Sequence, residues 1–259
     1  MDAHRQTGFV LGGEVDLVLR GLELEREIAE ASSDAKHRTQ RMAAAYGPWS
    51  RSWLARLEAL HAAQWGNYAA ALPLVRAAAD YIAAEVALLR TGAVEWQEWL
   101  DAGGIALAPA EHGTAFRLHA FRSGETLSTH ETLGRIYRAA TDLSLPHFGA
   151  TLLVTGMDST PERVLMTFGE RDMHLGLAEI VLGWLLELSV AQLEACVEFE
   201  TTFNVAAATG IEGFASAVIA TVGRRDRCGI EAIERAGVQR YLVRNWRRRQ
   251  GDAGKRLLL

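Results

Sequence analysis

The stretch that decides the fold is residues 170–203, ERDMHLGLAEIVLGWLLELSVAQLEACVEFETTF. It contains no proline and is apolar over most of its length, which predicts one long helix of about 50 Å at 1.5 Å per residue. A helix of that length crosses a whole domain, so other helices are expected to pack along it. We therefore predict an all-α fold: a helical bundle around this one long central helix.

A polar stripe runs along the predicted helix. At about 100° per residue, four glutamates fall within one sector: Glu179, Glu187, Glu194 and Glu198. This pattern predicts the exposed face of the helix. Gly176 and Gly183 lie on the same stripe, and they leave room for a close helix or a second subunit.

The rest of the chain supports a helical domain. With 259 residues, 49% of them hydrophobic, and five prolines, it can bury a full core in long helices. Residues 50–65, 67–91 and 129–144 show helical spacing and are expected to pack on the central helix. Residues 105–125 break this pattern and predict a short irregular or extended insertion.

Cysteine usage and hydropathy predict a cytoplasmic protein. Cys196 and Cys228 are too few for a disulfide framework, and the first residues lack a basic start followed by an apolar run. The nearest candidate for a membrane span, residues 175–193, is interrupted by Glu179 and Glu187, which are costly in lipid. No membrane span is expected.

Charge divides the chain into two predicted parts. Residues 1–223, the expected helical domain, carry 28 acidic and 16 basic side chains, whereas residues 224–259 carry 4 and 11. We predict that residues 224–259 form a basic, helical C-terminal tail. This tail either binds nucleic acid, with Arg244, Trp246, Arg247 and Arg248 tracking phosphates and stacking a base, or folds back onto the acidic part of its own or a neighbouring chain.

A set of polar residues on predicted helices forms a candidate site. Arg76 and Asp80 are four apart on an apolar helix, so they form either a buried ion pair that fixes helix register or a pair facing a ligand. Tyr137, Ser144 and His147 gather around the end of a later helix. His147 is then either the edge of a site or a structural hydrogen-bonding group.

The insertion at residues 105–125 adds titratable groups. His112 and His119 lie there, together with Arg117 and Arg122. A segment of this length without regular structure is uncommon unless it has a function. It is interpreted either as a lid or binding loop, with His112 and His119 contributing to the site, or as a surface excursion.

Several common chemistries lack their motifs in this sequence. It contains no GxxxxGK[ST], GxGxxG, HExxH, CxxC or GxSxG pattern, which removes the usual support for nucleotide loops, zinc peptidases, redox centres and hydrolases. Glu170 and His174 are four apart rather than three, so they do not form the ExxH pair that a di-iron bundle needs on each of two helices. No metal or cofactor is expected.

Residues 48–200 resemble a family of bacterial helical proteins that is distantly similar to the HEPN superfamily. The likeness is carried by ALPLVRAAADYIAAEVALL and YRAATDLSLPH, at the positions Arg76, Asp80, Tyr137, Ser144 and His147. It implies an all-helical, commonly dimeric protein; active HEPN members are metal-independent RNases of defence and toxin systems with an Arg-x4-6-His motif. Arg56 and His61 have this spacing, but they lie early in the chain with Leu57 in place of the usual polar residue.

Three functional hypotheses follow. The first is a HEPN-like homodimer of a bacterial defence or stress system that acts on or with nucleic acid or a protein partner, without clear catalysis. The second is an enzyme or sensor that binds a small molecule in a pocket lined by Arg76, Asp80, Tyr137 and His147. The third is a structural dimerisation module that uses its helix faces.

Overall fold

The computed structural model describes residues 2–32, 40–107, 113–157, 159–160 and 162–259. Its helices are α1 (Asp2–Ala31), α2 (Gln40–Gln64), α3 (Tyr68–Arg90), α4 (Val94–Asp101), α5 (Gly124–Thr129), α6 (Glu131–Ser144), α7 (Phe148–Thr155), α8 (Leu175–Glu198) and α9 (Ile211–Val222), with a 3-10 turn at Val205–Ala207. Its strands are β1 (Ile105–Leu107), β2 (Thr114–Phe116), β3 (Gly229–Arg235), β4 (Val238–Trp246) and β5 (Lys255–Leu258). The predominantly helical fold is confirmed.

Helix α8 is buried along most of its length. It packs against α1, α2, α3, α6 and α9 and touches β3 and β4. Within the described ranges it is the one helix long and apolar enough to cross a membrane, yet 78% of its most apolar window is buried inside the protein. Such burial is typical of the core helix of a soluble protein.

Helix α8 is shorter than the helix predicted over residues 170–203. The ring Nδ1 of His174 accepts the N–H of Leu177 at 3.4 Å and so caps the N-terminus. The N–H groups of Leu175 and Gly176 donate to backbone carbonyls of the C-terminal segment, both at 2.9 Å. These first-turn donors are therefore satisfied from outside the helix, which fixes its start.

The fold is not purely all-α, because it contains two small antiparallel sheets. The first, β1–β2, lies within the insertion predicted at residues 105–125. The second has the order β3–β4–β5 and includes most of residues 229–258, so the prediction of a helical tail is wrong.

A two-residue turn explains why the tail forms strands. Ala236 and Gly237 both have positive φ, 54° and 73°, and they connect the paired residues Arg235 and Val238. Two consecutive left-handed residues form the type of tight turn that joins antiparallel strands. The flanking sequence, GIEAIER and VQRYLVRNW, alternates in side-chain direction around this turn.

The glutamate stripe of α8 is divided into two parts. Glu194 and Glu198 are exposed, as predicted. Glu179 is 2% exposed and the Glu187 side chain is 23% exposed. The prediction of one exposed face is therefore wrong for the first half of the helix.

The two glycines of this stripe receive the C-terminal segment of the same chain. A Cβ on Gly176 would lie 3.0 Å from the ring of Trp246, and one on Gly183 would lie 3.1 Å from Arg227 Nη2. Contacts this short leave little space for a side chain at either position. The room predicted for a neighbouring helix or subunit is thus occupied by residues 227 and 246.

Candidate functional site

The structure brings together three of the predicted site residues at the contact between α3 and α6. Arg76 Nη2 donates to the hydroxyl of Tyr137 at 2.9 Å, and the guanidinium lies 5.0 Å from the ring centroid. Arg76 and Asp80 are 3.7 Å apart, and Asp80 accepts a hydrogen bond from Ser123 at 2.6 Å. The Tyr137 hydrogen bond raises the pKa of Arg76. The side chains of Arg76 and Asp80 are 40% and 35% exposed, so the pair is neither enclosed nor free.

Ser144 and His147 have local roles. Ser144 donates to the carbonyl of Ala140 at 2.5 Å. His147 caps α7: its Nδ1 accepts the N–H of Ala150 at 3.2 Å, and its Nε2 lies 2.7 Å from the carbonyl oxygen of Asp142. Ser144 is also seven residues from Tyr137 along α6, or about 10 Å. These contacts correspond to the structural interpretation of His147.

The histidines of the insertion do not join this group. His112 lies outside the described residues. His119 Nε2 is 3.5 Å from Glu95 Oε1, and the same carboxylate accepts the backbone N–H of Arg122 at 3.1 Å. His119 lines a separate cavity of about 280 Å³ whose other walls are mostly apolar and include Trp96, Trp99, Phe116 and Phe121.

The Arg56–His61 pair does not form one site. Arg56 is fully buried, and its two terminal nitrogens donate to the two carboxylate oxygens of Glu25 at 2.5 and 2.6 Å. The side chain of His61 is 52% exposed and lies 3.8 Å from Glu58. An RNA strand that reached His61 would find Arg56 enclosed in the core.

Arg56 is the centre of a buried polar cluster, which we call the Arg56 network. Its members are Glu25, Ser52, Arg56, Glu85, Ser189 and Gln192. Arg56 also donates to Ser52 and Ser189, both at 3.1 Å, and Gln192 Nε2 donates to Glu85 at 2.9 Å. Burial raises the pKa of Glu85 well above its usual value, and its Oε1 has no hydrogen-bond partner among the described atoms.

The C-terminal segment is bound to the acidic part of its own chain. Arg227 pairs with Glu14 and donates to the carbonyl of Glu179, and Arg224 lies 3.2 Å from Glu14. The Glu179 carboxylate accepts the backbone N–H of Cys228 at 2.9 Å. Burial nevertheless raises the pKa of Glu179. The arrangement corresponds to the alternative in which the tail folds back on its own body.

The four residues predicted to bind nucleic acid do not form one surface in the structure. Trp246 is 7% exposed and its ring lies 4.3 Å from that of His174, so a base cannot stack on it. Arg247 is 3.2 Å from Glu179, and Arg248 is 3.1 Å from Asp172. Arg244 alone among the four is an exposed side chain, and it lies 2.9 Å from Glu231.

A cleft that the sequence did not predict opens between α6 and the β3–β4 hairpin, and we call it the α6–hairpin cleft. Its volume is about 740 Å³. It is lined by Arg135, Arg138 and Ala139 of α6, Trp184 of α8, and Ile230, Ala232, Ile233, Glu234, Gly237, Gln239 and Tyr241 of the hairpin. The spacing of Arg135 and Arg138 places both on one face of α6, but the opposite wall exists only because residues 229–246 form strands.

The two arginines of this cleft differ in their partners. Arg135 lies 2.6 Å from Glu187, whose pKa is raised by burial. Arg138 is exposed and has no hydrogen-bond or ion-pair partner within the part of the chain that the structure describes. Beside it, Tyr241 donates to Asp142 at 2.5 Å; burial first, and then this contact, raise the pKa of the phenol.

The arrangement offers no obvious metal centre. In the described ranges, no group of three or more histidine, cysteine, aspartate or glutamate side chains is placed to hold a metal ion. Both cysteines are buried free thiols. Burial raises the pKa of Cys228 to about 12, which disfavours the reactive thiolate.

Comparison with protein-family models, curated proteins and solved structures finds no match to this chain. The relationship to the HEPN superfamily therefore stays a prediction, as do the homodimer and the cytoplasmic location.

Proposed function

We propose that the protein binds an anionic small molecule in the α6–hairpin cleft and acts as a binding protein or sensor built on α8 as the axis of its bundle. The observation that carries this proposal is Arg138, a guanidinium on the cleft wall without a protein partner in the described chain. An arginine fork in this position is suited to a carboxylate or phosphate. The proposed ligand site is therefore the α6–hairpin cleft and not the pocket predicted at Arg76.

The rest of the cleft fits a compact ligand that also has an apolar part. A volume of about 740 Å³ lies within the range of small-molecule sites. Ala139, Trp184 and Ile230 supply apolar surface, while Gln239 and Tyr241 supply polar groups. Arg135 is paired with Glu187, so Arg138 on α6 and Glu234 on the hairpin are the charged lining residues without an ion pair in the described chain. Arg138 is the cation that would bind the anionic group, and Glu234 on the hairpin wall would disfavour an anion placed close to that wall.

Calorimetric titration of the full chain with inorganic phosphate, citrate and adenosine monophosphate tests this proposal. We expect saturable binding of at least one probe. Arg138→Gln should weaken that binding by about 10- to 100-fold, since a charge-assisted hydrogen bond contributes about 1.5–3 kcal/mol.

The matched control is Arg163→Gln. Arg163 is also an exposed arginine, but it lies outside the cleft, so its substitution changes the net charge equally. Binding should stay within about twofold of wild type. No saturable binding of any probe, or equal losses in the two variants, would contradict the proposal.

A HEPN-like protein of a bacterial defence or stress system is the alternative proposal. It concerns the relationship of the whole chain and makes no use of the α6–hairpin cleft. The enclosure of Arg56 argues for a member without the RNase reaction. The geometry of its contacts supports a structural role for this arginine.

A further inference from the structure

The β3–β4–β5 sheet has one face turned away from the helices, and this face is rich in arginine. Residues on β4 alternate, so Val243 is buried against the bundle while Arg240 and Arg244 are exposed. An irregularity between Val243 and Trp246, with Asn245 at a φ of 53°, turns Trp246 back towards the bundle. The pairs Ile233–Arg240 and Arg235–Val238 place Arg235 on the same side as Arg240.

Strand β5 extends this surface. Leu258 pairs with Leu242, which belongs to the outward side, and Arg256 lies two residues before Leu258 on the same side. We call Arg235, Arg240, Arg244 and Arg256 the arginine face. Glu231 lies on it as well and pairs with Arg244, so its net charge is +3.

The arginine face remains available after the tail has folded. Four other arginines of residues 224–259 pair with carboxylates of residues 1–223: Arg224, Arg227, Arg247 and Arg248. By contrast, Arg235, Arg240 and Arg256 are exposed and have no ion pair or hydrogen bond to any residue that the structure describes. No carboxylate of the described chain therefore neutralises the charge of these three arginines.

We propose that the arginine face binds the phosphate backbone of a single-stranded nucleic acid without sequence preference. The four arginines form a row over adjacent strands, and Arg240 and Arg244 are about 14 Å apart at about 3.4 Å per residue. A row of this kind can contact several phosphates along one strand, and arginine binds each phosphate through two parallel hydrogen bonds.

The composition of the face explains the lack of sequence preference. Apart from Glu231, its other exposed side chains are aliphatic, as Val238 and Leu258 are, and none is aromatic. Sequence is read through hydrogen bonds to base edges, which aliphatic side chains do not make, so the expected contacts are those of the arginines with the phosphates.

A nucleic acid strand fits this surface better than a membrane does. The face has no tryptophan, tyrosine or phenylalanine to anchor it in the headgroup region of a bilayer. A narrow strand contacts the row alone.

Fluorescence anisotropy with a labelled oligothymidylate of about 20 nucleotides tests the inference on the full chain. With three net phosphate contacts, the affinity should fall about 20-fold between about 50 mM and about 200 mM salt. The double variant Arg235→Gln/Arg240→Gln should bind at least about 10-fold more weakly at the lower salt and lose most of the salt dependence.

The control Arg163→Gln/Arg171→Gln removes the same charge from exposed positions of the helical part. It should retain affinity within about twofold. Arg138→Gln should also retain it, which separates this surface from the ligand cleft. Equal losses in the two double variants, no binding at the lower salt, or binding to phosphatidylserine vesicles without binding to the oligonucleotide would each overturn the inference.

Discussion

The Arg56 network and the α6–hairpin cleft place arginines in opposite situations. Arg56 is fully buried, and five of its hydrogen bonds go to Glu25, Ser52 and Ser189. Arg138 lies on an open cleft and has no partner in the described chain. The first arginine is satisfied by the fold, whereas the second is satisfied only by solvent or a ligand.

This difference separates a structural charge from a binding charge. A buried ion is tolerated when its partners are fixed in place, and removing one partner leaves the other uncompensated. An exposed arginine costs the fold little and keeps its hydrogen-bonding capacity for another molecule. Stability measurements on the two clusters should therefore give opposite patterns.

The largest effect is expected for Glu25→Gln. This change leaves the Arg56 guanidinium buried without its carboxylate partner, so the free energy of unfolding should fall by about 3–5 kcal/mol. Urea unfolding measures the change. Glu194→Gln, at an exposed position of α8, is the control and should stay within about 0.5 kcal/mol of wild type. A loss for Glu25→Gln no larger than that of the control would show that Arg56 does not depend on this pair.

The same substitution at Glu85 should have the opposite sign. Burial raises the folded-state pKa of Glu85, so the wild type loses stability as the pH rises from the unfolded-state pKa towards the folded one. Glutamine does not ionise. Glu85→Gln should therefore be more stable than wild type at about pH 7.5 by about 1–2 kcal/mol, and this gain should disappear near pH 4.

Urea unfolding of both proteins across this pH range measures the difference. The quantity to compare is the free energy of unfolding of Glu85→Gln minus that of wild type. If this difference is lower at pH 7.5 than at pH 4, ionised Glu85 stabilises the network. Glu85 would then resemble Glu25.

The smallest effect is expected for Arg138→Gln. Because Arg138 has no partner in the described fold, its replacement should change the free energy of unfolding by no more than about 0.5 kcal/mol. Thermal and urea unfolding without ligand provide the measurement. A loss above about 2 kcal/mol would place Arg138 among the structural arginines and remove the contrast with Arg56.

The sequence predicted the helical part of the fold well and the C-terminal part poorly. The predicted helix 129–144 corresponds to α6, Glu131–Ser144, because its apolar residues recur at helical spacing. For residues 230–250 the alternating pattern of strands was present, but the arginine-rich composition also suited a helix. The turn at Ala236–Gly237, with two positive φ angles, is the feature that favoured strands.

The candidate site was predicted only in part. The spacing of Arg76 and Asp80 correctly indicated that they would meet, and Tyr137 joins them. His147 and His174 instead cap helices through Nδ1, a role that depends on the backbone direction just before each helix. The α6–hairpin cleft was missed because one of its walls was assigned to the wrong secondary structure.

The sequence by itself determined that most of this chain is helical and that residues 175–198 are buried, because periodicity and apolar content act locally along the chain. Only the tertiary structure decided which charged residues are used by the fold and which remain free. Arg56, Arg138 and Arg227 are all arginines in the sequence. Their roles differ because partners such as Glu25 and Glu14 come from distant segments of the chain. Long-range contacts, which no local pattern encodes, set the environment of each charge.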